Sequence, residues 1–362
     1  MEYSVENIVK PLLYKEVQSV ANSKLINWDK LKESTVLITG ANGFIGYYLV
    51  TALLERNDKF KSNITVLAVV RSKENAEKTF GELLKRNDIQ LVVQDVCQEL
   101  IIEQKADYVM HLASKASPYH FENDPIGIID ANVTGTYNVL NYAKESSSKA
   151  TLFVSSLKVY GNLHNGKDDI KETDIGYLEQ TSYKNCYAQG KRTAETICAS
   201  FNKEYKMNVK IARPAYIYGA SSLDDDRVWA NFFANAVRGE NILLKSNGGA
   251  YRSFCYVTDT AVALFLILLE GENVYPYNIS SKESNVTIRN FARAVTETFI
   301  EKNIILEFAK KDDELEPMRS PLEPTPEILN NARLKGLGFK AEVSLKEGIE
   351  KSVNILAEQN NV

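Results

Sequence analysis

The sequence predicts an α/β fold with a doubly wound parallel sheet and a smaller C-terminal lobe. Short apolar runs alternate with helical stretches from residue 35 to about residue 215, an order that places helices on both faces of a parallel sheet. A glycine-rich turn joins the first apolar run to the first helical stretch. Beyond residue 215, prolines and loops interrupt the alternation, which indicates a second, less regular unit.

Five apolar runs are expected to form strands, because aliphatic and β-branched residues dominate them and turn residues bound them. They are Thr35–Thr39, Ile64–Val70, Ile89–Val96, Ala106–Leu112 and Leu152–Ser155. The stretches between them carry apolar residues at helical spacing. The expected helices are Phe44–Glu55, a polar helix ending near Lys85, Pro125–Lys144 and Tyr187–Phe201.

Composition narrows the classes of function. The 362 residues carry a net charge of −4, so no basic excess points to nucleic acid or to an anionic membrane as partner. Four cysteines without a Cys-x-x-Cys pair, and three histidines, predict neither a metal site nor a disulfide framework. The longest apolar run, Ala261–Leu269, is too short to span a bilayer, and no signal-peptide pattern begins the chain. We therefore expect a cytoplasmic protein.

The turn TGANGFIG, residues 39–46, follows the first predicted strand and opens the first predicted helix. Glycines let the backbone turn sharply and approach a pyrophosphate, and the helix N-terminus offers free N–H groups to that anion. In this position the motif predicts a Rossmann-type dinucleotide site. The residues expected to contact the cofactor are Gly40, Asn42, Gly43, Phe44, Ile45 and Gly46.

The end of the second strand bears on the choice between NAD and NADP. A carboxylate often follows this strand and holds the adenosine ribose, but here Arg71 and Ser72 follow it. They would suit the 2′-phosphate of NADP, or Arg71 is a solvated charge at a helix start; both interpretations stay open. Asp95, with Val96, follows the third strand, where it is either an adenine contact or a turn residue.

Tyr187 and Lys191 are four residues apart in a predicted helix, so their side chains share one face. A nearby ammonium lowers the pKa of a phenol, which can then exchange a proton with a sugar hydroxyl or a carbonyl as hydride moves to or from nicotinamide. Ser156 ends the preceding strand, at the sheet edge where ligands bind in open α/β folds. We expect Ser156, Tyr187 and Lys191 to be the catalytic residues.

Together these motifs resemble the extended short-chain dehydrogenase/reductase family, in its nucleotide-sugar epimerase/dehydratase branch, over residues 35 to about 350. Several segments, such as NCYAQGKRTAE and RSFCYVTD, are similar to UDP-glucuronate decarboxylases. The resemblance implies an NAD(P)-binding domain at residues 35–215 and a mainly substrate-binding lobe at 216–362, with some segments returning to the first domain. Residues 1–34 would form an N-terminal helical extension that packs on the protein or contacts another copy.

The resemblance also implies site residues and partners. The substrate would be a nucleotide-diphosphate sugar whose phosphates face Arg227 and Arg252, and a helix pair that includes the Tyr187 helix would form a homodimer. Further cofactor contacts are expected from Leu112, Ala113, Ser114, Asn132, Tyr187, Lys191 and Pro214. Substrate contacts are expected from Ser114, Ser156, Tyr187, Tyr216, Arg227 and Arg252.

Two departures from the family pattern affect the expected reaction. Members that dehydrate or decarboxylate carry an acidic residue just after the catalytic serine or threonine, where this chain has Leu157-Lys158, and Tyr216 stands where many relatives have asparagine. Oxidation and re-reduction at C4 does not need this acidic residue, so a 4-epimerase is the first expectation. An NADPH-dependent 4-keto-sugar reductase, favoured by Arg71, is the second. Decarboxylation or dehydration, and a non-catalytic cofactor-binding protein, are the further alternatives.

Overall fold

A computed structural model describes residues 3–116, 118–163, 169–309 and 327–361. Its strands are β1 (Thr35–Thr39), β2 (Thr65–Val70), β3 (Ile89–Val93), β4 (Tyr108–His111), β5 (Ala150–Val154), β6 (Val209–Pro214), β7 (Tyr216–Tyr218), β8 (Ile242–Leu244), β9 (Tyr251–Tyr256), β10 (Pro276–Ile279), β11 (Ser281–Thr287) and β12 (Leu306–Phe308). Its helices are α1 (Val5–Ile8), α2 (Pro11–Ala21), α3 (Phe44–Phe60), α4 (Lys73–Phe80), α5 (Pro118–Asn123), α6 (Pro125–Asn132), α7 (Thr134–Glu145), α8 (Cys186–Tyr205), α9 (Val228–Arg238), α10 (Val257–Glu270), α11 (Ile288–Thr298), α12 (Ala332–Gly336) and α13 (Leu345–Asn360).

The main sheet confirms the predicted doubly wound architecture. Within the described residues, seven parallel strands pair in the order β10-β6-β5-β4-β1-β2-β3. The chain builds outwards from β1 to β3, and then returns to build the other half from β4. The strand order reverses between β1 and β4, and ligands of such sheets bind at this point, outside the carboxyl ends of the strands.

The second unit is built around aromatic side chains rather than a large sheet. Strands β11, β9 and β7 form a three-stranded sheet, and β12 pairs with β8. Phe291 of α11 packs on Phe254 of β9 with ring centroids 4.8 Å apart, and Phe233 of α9 lies 5.9 Å from Phe291. These rings are buried, so they join the small sheet to the helices that cover one side of the ligand crevice.

The N-terminal extension is helical and packs on the protein. Val17 and Val20 of α2 are fully buried, and α2 contacts α3, α10 and α13. The buried carboxylate of Glu16 forms an ion pair with Lys351 of α13, with 3.2 Å between Oε1 and Nζ. The extension therefore contributes to the hydrophobic core on the face of the sheet covered by α3 and α10.

Some predicted element boundaries were wrong. The helix predicted over Pro125–Lys144 is broken at Val133, whose φ of −95° and ψ of −67° separate α6 from α7. Strand β3 ends at Val93, because Gln94 is followed by a turn at Asp95. The stretch Lys310–Pro326 is acidic and proline-rich, which predicts a surface connection, and it lies outside the described residues. In the part of the chain described here, no helix combines the length and apolarity needed to cross a membrane.

Candidate active site

A cavity of about 640 Å³ lies at the point where the strand order reverses. One wall is formed by the glycine turn after β1 and by residues that follow β4, β5 and β6. The opposite wall comes from the second unit, through α9, β9 and α11. Many of the predicted site residues line this single space: Gly40, Gly43, Phe44, Ile45, Gly46, Leu112, Ala113, Ser114, Ser156, Tyr187, Lys191, Pro214, Tyr216, Arg227 and Arg252.

The glycine turn needs glycine at two positions. Gly40 has a φ of +67°, a left-handed conformation that residues with a Cβ rarely adopt. A Cβ on Gly46 would lie 2.3 Å from the carbonyl oxygen of Gly40, so helix α3 packs directly on the turn. No side chain caps the N-terminus of this 17-residue helix. Its first N–H groups therefore remain available to an anion such as a pyrophosphate.

Ser156 and Tyr187 meet at the floor of the cavity. Ser156 follows β5, and its Oγ accepts a hydrogen bond of 3.2 Å from the backbone N–H of Lys158. Tyr187 is the second residue of α8 and stacks on Phe121, with ring centroids 5.2 Å apart. Burial raises the pKa of Tyr187, whereas the nearby Ser156 side chain and the positive charge of Lys158 act in the opposite direction. The side chains of Ser156 and Tyr187 thus line the same cavity.

Lys191 is buried one helical turn after Tyr187. Its Nζ donates a hydrogen bond of 2.7 Å to the carbonyl oxygen of Val154 and lies 5.8 Å from the centre of the Tyr187 ring. Burial lowers the pKa of Lys191 to about 7. In the described structure, the cation that acts on the pKa of Tyr187 is Lys158, a residue that the sequence marked only as a departure from the family pattern.

Residues after β4 connect the cavity to the helices behind it. The hydroxyl of Ser114 donates to Oδ1 of Asn132 at 3.0 Å, and Nδ2 of Asn132 donates to the carbonyl of Ile128. Asn132 is fully buried and does not line the cavity. It therefore orients Ser114 from behind, whereas Leu112 and Ala113 lie at the cavity wall.

The residues predicted to hold the adenosine end lie further along the same sheet edge. Arg71 and Ser72 follow β2, and Asp95 and Val96 follow β3; with Asn42, they are outside the cavity lining. Arg71 is exposed. The hydroxyl of Ser72 accepts a hydrogen bond of 3.2 Å from the backbone N–H of Asn75, and so caps α4. Asp95 likewise accepts the N–H of Cys97 in a turn.

Arg227 enters the cavity beside the glycine turn. Its guanidinium lies 5.0 Å from the ring centre of Phe44 and 4.5 Å from that of Trp229. Asp225 pairs with it through both carboxylate oxygens, including a contact of 2.9 Å from Nε to Oδ1. The charge of Arg227 is therefore largely balanced by Asp225, and its guanidinium lies next to Phe44 at the start of α3.

A cluster of charged and polar side chains lies near Ser156. It consists of Lys158, Tyr216, Arg252 and Glu327, and we call it the Lys158 cluster. Nζ of Lys158 lies 2.8 Å from Oη of Tyr216 and 2.9 Å from Oε1 of Glu327. The hydroxyl of Tyr216 donates to Oε2 of Glu327 at 2.7 Å, and Nε of Arg252 is 3.0 Å from the same oxygen. Three groups thus surround one carboxylate.

Sequence reasoning missed Glu327. Glu327 adjoins an acidic, proline-rich stretch that resembles a surface connection. Nothing in the local sequence distinguishes Glu327 from the other acidic residues there. The structure holds its backbone against β9: its N–H donates to the carbonyl of Tyr251, and its carbonyl accepts the N–H of Ser253, both at 3.0 Å. This pairing brings the carboxylate against Lys158, Tyr216 and Arg252, which line the cavity.

Comparisons with known proteins agree with this geometry. The model of the NAD dependent epimerase/dehydratase family matches residues 36–280. UDP-glucuronic acid decarboxylase 3 of Arabidopsis thaliana is 33% identical over 317 residues, which are 87% of this chain and 86% of that protein. A relative of this similarity and coverage shares the family as well as the fold.

Solved structures match the fold over most of the chain. UDP-glucose 4-epimerase from Thermotoga maritima, crystallised with UDP-glucose, has a TM-score of 0.72 at 23% identity, covering 90% of this chain and 99% of that one. dTDP-glucose 4,6-dehydratase from Bacillus anthracis, in complex with NAD, has a TM-score of 0.72 at 19% identity, covering 90% and 97%. At these identities the likeness concerns the fold alone.

Proposed function

Because the chain belongs to the NAD-dependent epimerase/dehydratase family, we propose that it is an NAD-dependent decarboxylase of a UDP-linked hexuronate such as UDP-glucuronate. The observation that carries the proposal is the position of the Lys158 cluster beside Ser156 and Tyr187. An oxidation site next to a lysine that lines the same cavity suits a sugar that bears a carboxylate. The names of the relatives support decarboxylation over the 4-epimerase that the sequence alone suggested.

The residues at the glycine turn fit a dinucleotide. The uncapped start of α3 offers N–H groups to the pyrophosphate, and Arg227 lies against Phe44 at the same place. When NAD is bound there, it supplies a hydride acceptor and donor for C4 of the sugar. We propose NAD rather than NADP, because the family model that matches this chain is that of an NAD dependent family.

Tyr187 is the proposed acid–base residue. It takes the proton of the C4 hydroxyl as that carbon is oxidised, and it returns the proton when C4 is reduced. Ser156 holds the same substrate oxygen through its hydroxyl. Positive charge from Lys158 opposes the effect of burial on the pKa of Tyr187, and Nζ of Lys191 lies 5.8 Å from the centre of the Tyr187 ring.

Decarboxylation places few further demands on the protein. A ketone at C4 makes the C6 carboxylate a β-keto acid; the C5–C6 bond breaks, CO₂ leaves, and the electron pair forms an enolate at C4 and C5. A proton from water then adds to C5, so one hexuronate and one proton give one pentose and one CO₂. Loss of water instead requires removal of a carbon-bound proton and a protonated leaving group. The missing acidic residue at Leu157-Lys158 is thus a smaller obstacle to decarboxylation than to dehydration.

A UDP-hexuronate 4-epimerase is the second candidate. The specific observation in its favour is the position of Lys158. A cation beside the C6 carboxylate stabilises the charged substrate, which raises the barrier to loss of CO₂ and thereby favours epimerisation. Both reactions share the oxidation at C4 and the same residues. They differ in whether carbon leaves before the ketone is reduced.

The test is to incubate the purified protein with UDP-glucuronate carrying deuterium at C4 and to identify the products by mass spectrometry and NMR. We expect UDP-pentose lighter by one CO₂, with deuterium kept at C4 through the cycle. A product of unchanged mass and inverted C4 would replace the decarboxylase with the epimerase. Identification of the nucleotide released from freshly purified protein tests the cofactor, and retained NADP instead of NAD would contradict our choice.

A further inference from the structure

Among the described residues, the Lys158 cluster carries more positive than negative charge. Lys158 and Arg252 are cations, Glu327 is the one carboxylate, and burial raises the pKa of Tyr216, so that the phenol is neutral. Although burial would raise the pKa of Glu327, Lys158 and Arg252 outweigh that effect and hold it below its ordinary value. Lys158 therefore shares its anionic partner, Glu327, with Arg252.

The cluster also has the makings of a carboxylate receptor. Glu327 receives hydrogen bonds or ion-pair contacts from Lys158, Tyr216 and Arg252, all at 2.7–3.0 Å. These donors therefore already form a site that binds one carboxylate, which the protein supplies itself. An ammonium has three donors, and as far as the described residues go, Tyr216 and Glu327 take two of those of Lys158.

The remaining donor of Lys158 can be reached from the cavity. The side chain of Lys158 is 38% exposed and lines the space that Ser156 and Tyr187 also line. Its backbone N–H is bonded to Oγ of Ser156, so it lies two residues from the proposed C4 site. C6 and C4 of a hexopyranose are both attached to C5, and a carboxylate at C6 would lie close to the residues that act on C4.

We propose that Lys158, held in place by Glu327 and Tyr216, binds the carboxylate of the hexuronate and selects it over the neutral hexose. The proposal rests on the function proposed above and names the residue that determines its substrate class. Glu327 is a positioning residue here: it fixes Lys158 and Arg252 and does not contact the sugar. A charge of the opposite sign at position 158, as in the acidic residue typical of the family, could not have this role.

The experiment compares binding of UDP-glucuronate and UDP-glucose, which differ only at C6, by isothermal titration calorimetry. The protein is loaded with NADH, which cannot accept hydride from C4, so that neither ligand is consumed. For Lys158→Met we expect the Kd of UDP-glucuronate to rise about 10-fold to 100-fold, the range of a charge-assisted hydrogen bond. The Kd of UDP-glucose should change by less than about two-fold, within the scatter of surface changes. Lys158→Arg should restore most of the preference.

Lys30→Met is the matched control. Lys30 is 42% exposed and forms an ion pair of 2.8 Å with Glu270, so this variant removes an equal charge from a similar setting outside the cavity lining. We expect it to leave both dissociation constants unchanged. Equal loss of affinity for both ligands in Lys158→Met would overturn the inference, because the lysine would then act on the shared nucleotide or on the fold.

The proposed function fails in a different way. If the wild-type protein releases CO₂ from UDP-glucuronate but Lys158→Met keeps the preference, the function stands and the selectivity belongs elsewhere. If the wild-type protein binds UDP-glucose as tightly as UDP-glucuronate, the inference is wrong whatever the reaction. If it binds neither, the proposed function is wrong, and the inference with it.

Discussion

Glu195 accepts two hydrogen bonds from Arg213, 2.9 Å from Nε to Oε1 and 2.6 Å from Nη2 to Oε2. Both side chains are largely buried, and the same carboxylate accepts a hydrogen bond of 2.5 Å from the hydroxyl of Ser155. The pair thus ties α8 to the ends of β5 and β6. Since Tyr187 lies on α8 and Ser156 follows β5, this contact joins the two elements that carry the proposed catalytic hydroxyls.

Replacing Glu195 with alanine should destabilise the protein strongly. Arg213 would keep its charge in a buried setting without its partner, and removing one member of a buried ion pair costs about 3–5 kcal/mol. Denaturant unfolding measures the change. Glu204→Ala, on the exposed face of the same helix, is the control and should stay within about 0.5 kcal/mol of the wild type. Similar losses in the two variants would show that the pair adds nothing to stability.

The sequence predicted the nucleotide half of the fold well, because its features are local. The turn after β1 and the helix carrying Tyr187 follow from glycine placement and from spacing within a few residues. Lys158 and Glu327, by contrast, are 169 residues apart, and they meet because a segment near the end of the chain pairs with β9. No local sequence pattern predicts such a long-range contact. From the sequence, Lys158 was therefore interpreted only as the replacement of an acidic residue, and its place in a charged cluster was missed.

Gly46→Ala should abolish cofactor binding and lower the melting temperature. The added Cβ would lie 2.3 Å from the carbonyl oxygen of Gly40 and 2.7 Å from that of Ala41. Both neighbours are backbone atoms, so α3 would have to move away from the turn that its N-terminus completes. Calorimetric titration with NAD and a thermal melt measure the two effects.

Gly336→Ala is the comparison for that variant. Gly336 ends α12, and a Cβ there would meet nothing within 4 Å. Alanine at a compatible helical position typically adds about 0.4–1 kcal/mol, so this variant should bind NAD normally and melt no lower than the wild type. NAD binding by Gly46→Ala at wild-type affinity would contradict this prediction, because it would show that the backbone of the turn can shift to accommodate the added Cβ.

Tyr187→Phe should remove turnover and leave binding intact. The variant keeps the stacking on Phe121 and loses only the hydroxyl that exchanges the C4 proton, a contribution of about 10²–10⁴ in rate. Turnover of UDP-glucuronate, together with the dissociation constants of NAD and UDP-glucuronate, separates the two effects. Tyr183→Phe changes an exposed phenol just before α8 and should have wild-type kcat. Full activity of Tyr187→Phe would remove this residue from the proposed chemistry.

Lys191→Met should make cofactor-free protein more stable at low pH than at high pH, relative to the wild type. Burial lowers the pKa of Lys191 to about 7 in the folded state from an ordinary value of 10.5. Between these values the unfolded chain binds more protons than the folded one, so wild-type stability rises with pH by at most about 1.4 kcal/mol per pH unit. Burial of the charged ammonium destabilises the folded wild type fully below about pH 7 and progressively less above that pH. The methionine variant has no charge at this position, so it lacks this destabilisation at every pH.

The measurement is the difference in unfolding free energy between Lys191→Met and the wild type, from denaturant titrations at several values between about pH 6 and about pH 9. Methionine leaves the carbonyl of Val154 without the donor it has in the wild type, which costs a similar amount at every pH and shifts the whole curve. The slope, and not the offset, therefore tests the lowered pKa. A difference that stays constant across this range would mean that Lys191 titrates near its ordinary value in the folded protein and is fully charged beside Tyr187 at neutral pH.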